Sequence, residues 1–376
     1  MNHFYNNLYR PTKVEIDLSA AEHNFKQVKK RVGNRAGILV VVKADAYGHG
    51  AVEIVKRLIS CGAKYFGVAT MSEAVELRKN KIKTSILLLT ACYASEIPTL
   101  IDYNVTPAIA DLETAVLLDR ELKKRVRKLP IHIKIDTGMG RIGIWHKDSM
   151  DFIKEVSKLK NLILEGIYTH FPSADEDEEF TKLQIASFDS LIDDLERSGI
   201  NIPLRHAANS VGIMRYKDAH FSLVRPGLMI YGLYADINTK KIIKLKPVMR
   251  FKTEITYLKE VPAGRSISYG RTFVTTKKTK IATLPVGYAD GYNRLLSNRA
   301  QVLINGKRCP VIGRICMDHT MVDASGVDAK LGDEVVLIGK QRNSEISAEE
   351  IAHLCSTISY EVVCWISKRV PRIYIK

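Results

Sequence analysis

Gly37-Ile38-Leu39-Val40-Val41-Val42-Lys43-Ala44-Asp45-Ala46-Tyr47-Gly48-His49-Gly50 places five unbroken apolar residues after a glycine and ends the run on a lysine. Four of the five (Ile38, Val40, Val41, Val42) are β-branched. A strand this apolar at every position is buried on both faces, as in a parallel sheet covered by helices. Lys43 then emerges at the strand's carboxyl end. A lysine held there is costly unless it is paired or used. Desolvation lowers an amine's pKa and favours a Schiff base with an aldehyde. From spacing alone, a lysine salt-bridged to a nearby carboxylate reads equally well.

Outward from this stretch, runs of the same kind recur at Tyr65–Ala69, Ser85–Thr90, Val105–Ala110, Ile131–Asp136, Ile163–His170, Leu204–Asn209 and Leu223–Leu228. Between them lie amphipathic helical stretches such as Ala51–Ser60, Glu73–Arg78 and Phe180–Ser198, with Ser72 a candidate N-cap. Eight strand–helix units in roughly 210 residues is the arithmetic of a (β/α)8 barrel. A doubly wound sheet would show fewer units and a Gly-rich loop after its first strand, and no GxGxxG follows Val42. Beyond Lys246 the pattern turns to strands: Val248–Leu258, Lys280–Leu284, Gln301–Ile304, Lys307–Ile312, Thr320–Asp323 and Glu334–Ile338. Asn305-Gly306 between two apolar runs signals a hairpin, and one short helix, Ser347–Leu354, interrupts. The expected architecture is therefore α/β plus β: a barrel over residues 1–246, then a mostly β domain over residues 247–376. Lys13–Leu18 is strand-like, leads to a helix capped by Ser19, and is a candidate to pair with the β domain rather than join the barrel.

Composition bounds the function. A chain of 376 residues suits two domains. No stretch approaches the roughly 20 apolar residues of a membrane helix, and Met1–Lys13 lacks the apolar core of an export signal. The six cysteines are scattered with no CxxC pair, which suits reduced thiols in the cytoplasm rather than a disulfide framework or metal site. The net charge of +16 raises the question of nucleic acid. However, the denser basic runs, Lys123–Lys128 and Lys277–Lys280, are short and lack interleaved aromatics. They read as a solvated surface with some attraction for anionic ligands, so neither nucleic acid nor membrane is an expected partner.

The segment Val40–Gly50 closely resembles the lysine signature of the pyridoxal-phosphate-dependent alanine racemases, with Asp45 where that family commonly has Asn. Further matches follow in family order: His132–Gly143 (HIKIDTGMGRIG), Glu165–Phe171 (EGIYTHF), His206–Ser210 (HAANS), Val224–Gly227 (VRPG), Ser268–Phe273 (SYGRTF), Pro285–Tyr292 (PVGYADGY), Gly313–Asp318 (GRICMD) and Ile358–Val362 (ISYEV). Together they span nearly the whole chain.

The resemblance implies a set of roles. Lys43 carries pyridoxal phosphate and acts as base toward D-alanine, and Tyr269 is the opposite base toward L-alanine. Alone, Tyr269 reads as a half-buried strand tyrosine. In the family the site joins the barrel of one subunit to the β domain of another, which implies a homodimer with shared active sites. Arg225 contacts the pyridine nitrogen, and because arginine keeps its proton it leaves that nitrogen unprotonated; His170 supports it. The phosphate falls to Tyr47, Ser210, the amides of Gly227 and Leu228, and Tyr360. Arg141 and the amide of Met317 take the substrate carboxylate. Lys134 matches a lysine that is carbamylated in many members; an ordinary lysine paired with Asp136 or a chloride is the alternative. Tyr288 and Tyr360 narrow the entrance, and Asp175, Arg294 and Arg314 match outer-corridor positions. The product, D-alanine, supplies peptidoglycan in the family.

Other functions fit less well. A broader-specificity or serine racemase of the same fold is the nearest alternative, but broad-specificity members tend to be exported and disulfide-bonded. A cofactor-binding regulatory protein with a lone barrel lacks the second domain, and a decarboxylase of the related barrel class does not suit the tyrosine motif or Arg225.

Overall fold

The structure, a computed structural model, describes residues 9–376. The stretch read above as lacking an export signal lies partly outside them, at residues 1–8. Among the described residues, eight parallel strands form the first domain. Around the barrel they run Leu223–Val224, Gly37–Val41, Tyr65–Val68, Ser85–Ala91, Thr106–Ile109, Leu129–Asp136, Leu162–Tyr168 and Leu204–His206. The ring closes through Ser222 N donating to Arg205 O (3.1 Å) and Arg225 N donating to Ala208 O (2.9 Å). Each strand coincides with one of the eight runs, because burial on both faces leaves little room for polar residues.

The helices between the strands cover the barrel, and their starts correct two expectations. The helix Met71–Lys79 is capped by Thr70, not Ser72: Thr70 is extended and accepts from Glu73 N, while Glu73 answers with a capping box. The helix Leu18–Val32 is capped by Asp17, not Ser19, through Ala20 N donating to Asp17 Oδ1 (2.9 Å). In each case the cap is the last extended residue before the turn, and its backbone geometry rather than its rank among cap formers decides.

The second domain is mostly β. Lys13–Asp17 pairs antiparallel with Met249–Glu254 and parallel with Arg372–Ile375. Gln301–Ile304 and Lys307–Pro310 form the hairpin around Asn305-Gly306. The single strand expected over Val248–Leu258 is two, Met249–Glu254 and Tyr257–Val261, in different sheets. The chain changes sheet at Ile255 and Thr256, whose amides donate to Asp333 O and Thr283 O. Ala348–Leu354 is the anticipated helix; a second, Ser359–Trp365, follows and contributes to the cavity described next. Among the described residues no helix is long and apolar enough to cross a membrane.

Candidate active site

A cavity of about 700 Å³ opens at the carboxyl ends of the barrel strands, the end where side chains of successive strands converge on one space. Lys43 lines it, just beyond the strand Gly37–Val41. The chain does not run straight on. Ala44, Asp45, Ala46 and Tyr47 adopt left-handed geometry, with φ of 52–55°, at about 1–2 kcal/mol per residue for side chains bearing a Cβ. The neighbours hold this turn. Glu73 accepts from Ala44 N (2.6 Å) and Ala69 N (2.8 Å), and the Tyr47 ring lies 4.8 Å from that of Tyr231. Asp45 Oδ1 accepts from Ala51 N (2.7 Å). That bond uses only an acceptor oxygen, which Asp and Asn both carry. Burial, then the charge of Arg141, lowers the pKa of the Lys43 amine.

Opposite lies Arg225, 4 % exposed. Its Nη1 donates to His206 Nδ1 (2.9 Å) and His206 O (2.9 Å); Nη2 donates to Thr169 O (2.7 Å), Ala207 O (2.8 Å) and His170 Nδ1 (3.1 Å). Burial pushes its pKa down to about 10, so it is a cation at neutral pH. Burial first, then the charge of Arg225, holds His170 and His206 well below the usual imidazole range, and both are neutral acceptors toward it.

A third corner carries hydroxyls and amides. Ser210 Oγ accepts from Gly227 N (3.0 Å) and Met229 N (3.2 Å). A Cβ on Gly227 would lie 2.7 Å from the Tyr47 hydroxyl, so only glycine lets that chain pass. Burial pushes the Tyr360 phenol up to about 12 and raises that of Tyr47, keeping both as O–H donors.

Lys134 differs from its simplest expectation. It forms no ion pair with Asp136, which accepts from Gly138 N (2.8 Å) and Gly140 N (2.9 Å) and so shapes the loop carrying Arg141. Lys134 Nζ is buried without a hydrogen-bond partner, 4.5 Å from the centre of the Tyr168 ring. Burial, then the charges of Arg225 and Arg141, holds its pKa well below the ordinary range.

The chain thus gathers Lys43, Tyr47, Lys134, Arg141, His170, Ser210, Arg225, Gly227, Leu228 and Tyr360 around one cavity. It does not bring Tyr269, Met317, Tyr288, Asp175, Arg294 or Arg314 there. Tyr269 is 69 % exposed on the β domain, in a separate hollow with Ser268 and His319, and Arg314 packs under the same turn at Gly270. Tyr288 and Arg294 share a shallow pocket with Trp365, and Met317 is exposed. Asp175 uses its carbonyl to accept from Arg215 Nη1 (2.7 Å). Sequence reasoning missed several supporting residues. The centre of the Tyr168 ring lies 4.5 Å from Lys134 Nζ and 5.2 Å from the Arg225 guanidinium carbon, and its hydroxyl donates to Leu89 O (2.9 Å). Asp290, fully buried, accepts from Arg10 Nη1 (2.9 Å) and Gly287 N (3.0 Å) and so fixes the Tyr288 turn. Asp290 stands in the quoted PVGYADGY motif, but nothing in its spacing marks a buried carboxylate. Among the described residues no cluster of His, Cys, Asp and Glu could hold a metal ion.

The barrel and the β domain match, in that order, the models of the alanine racemase N-terminal domain (residues 16–235) and C-terminal domain (residues 248–374). Together these define the class: a two-domain amino-acid racemase, an isomerase. The chain belongs to the alanine racemase family, and its activity is the racemisation of alanine. It is 47 % identical over 367 residues to the alanine racemase of Halothermothrix orenii, covering 97 % of each chain. It is 48 % identical over 369 residues to that of Carboxydothermus hydrogenoformans, covering 97 % of this chain and 100 % of the relative. The solved alanine racemase of Clostridium difficile superposes with a TM-score of 0.94 at 39 % identity, covering 98 % of this chain and 97 % of that one. The Bacillus anthracis alanine racemase with bound L-Ala-P gives 0.92 at 36 % identity, covering 98 % and 96 %.

Proposed function

We propose that this racemase works through pyridoxal phosphate held in the barrel cavity, with Lys43 and Tyr269 as its two bases. The observation that carries this is the set of three different groups around one cavity: a neutral-leaning amine, a buried guanidinium, and a corner of hydroxyls and amides. They match, in turn, the aldehyde, ring nitrogen and phosphate of that cofactor. A volume of about 700 Å³ is also ordinary for a site that encloses a small molecule. When bound, the cofactor supplies the electron sink that makes the α-proton of alanine removable.

The residues then divide the work. Lys43 Nζ anchors the cofactor and moves a proton to and from one face of the α-carbon. Its lowered pKa brings it nearer the operating range of a general base. The hydroxyl of Tyr269, brought by a second copy of the chain, serves the other face. Arg225, steadied by His170, faces the ring nitrogen and leaves it unprotonated. Tyr47, Ser210, Tyr360 and the amides of Gly227 and Leu228 hold the phosphate. Arg141 and the Met317 amide bind the substrate carboxylate, with Lys134, as a carbamate, orienting Arg141. Tyr288 and Tyr360 narrow the entrance in favour of a methyl side chain, and Asp175, Arg294 and Arg314 line the approach. Homodimerisation, supply of D-alanine to peptidoglycan and a cytoplasmic setting belong to the same proposal; six free cysteines support the last.

The test is a panel of D- and L-amino acids with the purified, cofactor-loaded protein. Alanine should be racemised in both directions and larger side chains much more slowly. Racemisation independent of pyridoxal phosphate would sink the cofactor assignment, and equal rates on large side chains would sink the entrance argument.

A further inference from the structure

The line of polar groups behind Arg225 runs on through the barrel. We propose that His206, His132 and Glu165 position the Arg225 guanidinium through a one-way line of hydrogen bonds, with Glu165 as its anchor. This rests on the reading of Arg225 as the partner of the cofactor's ring nitrogen and deepens it.

The direction of the line follows from its two ends. A guanidinium only donates, so His206 Nδ1, 2.9 Å from Arg225 Nη1, accepts. His206 is neutral and therefore carries its proton on Nε2. That nitrogen lies 2.8 Å from His132 Nδ1 and donates to it. His132 in turn holds its proton on Nε2, which faces Glu165 Oε2 at 3.1 Å and the Tyr65 hydroxyl oxygen at 3.0 Å. Tyr65 donates to Glu165 Oε2 at 2.7 Å. The His132 and Tyr65 bonds keep the Glu165 carboxyl below its usual range despite burial, so the far end is an ionised acceptor. A donor-only group and an acceptor-only group thus fix both tautomers between them.

The packing is built for this line. Barrel interiors are normally filled by branched aliphatic side chains, yet His132 and His206 are both 0 % exposed. Such groups persist in a core only when satisfied as a network. Gly166 makes room for the first, since a Cβ there would overlap the His132 ring, and a register shift in the strand pair falls at Ile131/His132. The Tyr168 ring stacks on His206 at 4.6 Å, with 1° between the planes. Among the described residues no carboxylate pairs with Arg225; its acceptors are neutral imidazoles and carbonyls. Without the anchor, the Tyr65 hydroxyl loses its own acceptor and is free to donate to His132 Nε2, 3.0 Å away; His132 then holds its proton on Nδ1 and donates back to His206. His206 then holds its proton on Nδ1, directly against an Arg225 N–H, and the guanidinium turns away.

The experiment reads the ring nitrogens of ¹⁵N-histidine-labelled, cofactor-loaded protein at neutral pH, in the wild type, Glu165→Gln and Glu165→Leu. In the wild type both His132 and His206 should be neutral with the proton on Nε2. Glu165→Leu should move His206 toward the Nδ1–H form, although His206 does not touch residue 165. It should also lower kcat about tenfold, as expected for a sub-ångström misplacement, with a smaller change in KM. Glu165→Gln keeps an acceptor oxygen and should retain the His206 tautomer and most of kcat. If Glu165→Leu does not fold, His132→Leu removes the same link and is read at the same nitrogen. An unchanged His206 signal in a folded variant, or an unchanged kcat beside a changed signal, overturns the proposal. The two failures are distinguishable: a wild type that binds no pyridoxal phosphate sinks the cofactor reading, whereas a loaded variant with an unaltered His206 sinks only the line.

Discussion

Within the chain Lys43 and Tyr269 face different spaces: Lys43 lines the cavity at the barrel mouth, and Tyr269 stands 69 % exposed in a hollow of the β domain. Racemisation needs a proton on either face of one carbon, so two bases must flank one substrate. If they are these two, the second comes from another copy, and a two-fold axis makes two such sites at once. Mixing Lys43→Ala with Tyr269→Phe protein tests this. Each mixed dimer holds one site with both bases intact, so equal random mixing should restore about a quarter of wild-type activity from two inactive parents. Confirmed mixed dimers with no recovery would show that the bases do not act across chains.

The lowered pKa of the Lys43 amine has a readable sign. Its leading cause is burial, followed by the charge of Arg141, and both favour the neutral form. At a given pH more of this amine is therefore nucleophilic than of a free lysine. In cofactor-free protein the rate of trapping pyridoxal phosphate by borohydride reduction should stay high at pH values where free lysine has become unreactive, with the label on Lys43. Arg141→Leu should move that profile upward only part of the way, leaving the contribution of burial. A profile matching free lysine, or a label on another residue, would remove Lys43 as the anchor.

Lys134 offers a test that depends on carbon dioxide. In a buried amine with no hydrogen-bond partner among the described residues, the lowered pKa favours the unprotonated, nucleophilic form. Its attack on CO2 would form an N–C bond at the expense of one C–O π bond, release one proton from the amine and leave an anion within reach of the charges of Arg225 and Arg141. Growth and assay with ¹³C-bicarbonate should give a carbamate signal that Lys134→Met lacks. The variant should bind alanine more weakly, by roughly 1–3 kcal/mol for the loss of a charge-assisted contact to Arg141. A wild-type spectrum without that signal would return Lys134 to a plain buried amine.

Much of this was readable from the chain, and the exceptions share a cause. The eight strands were legible because burial on both faces forces a local pattern, visible in Gly37–Val42 as an unbroken apolar run. Lys43 stood out as a charged residue ending such a run, but its position left a paired lysine equally open, and the roles of Lys43 and Arg225 came only from the resemblance of the motifs around them. The left-handed turn over Ala44–Tyr47 was not. Its residues have no preference for that geometry, and what holds it, Glu73 and Tyr231, lies well down the chain. The line from Arg225 to Glu165 was hidden for the same reason, since His132 and His206 are 74 residues apart. Both helix caps were misplaced by two residues, because Thr70 and Asp17 are set by the extended backbone that leads into each helix.

The approach of Gly227 to Tyr47 allows a prediction with an internal control. In Gly227→Ala the new Cβ would sit 2.7 Å from the Tyr47 hydroxyl and 3.3 Å from its ring carbon Cζ. Tyr47 cannot swing aside freely, because it is buried and its ring packs against Tyr231. Overpacking of this kind costs about 1–3 kcal/mol. It should appear as a tenfold to hundredfold loss of affinity for pyridoxal phosphate, measured by titrating cofactor-free protein. Tyr47→Phe removes the crowded hydroxyl, so the double variant should bind more tightly than the two single losses would add up to. Because the residues touch, a coupling energy well above the roughly 0.5 kcal/mol of independent sites is required. Strict additivity would mean that the glycine is there for the passage of the chain alone, and that Tyr47 does not share the phosphate corner with it.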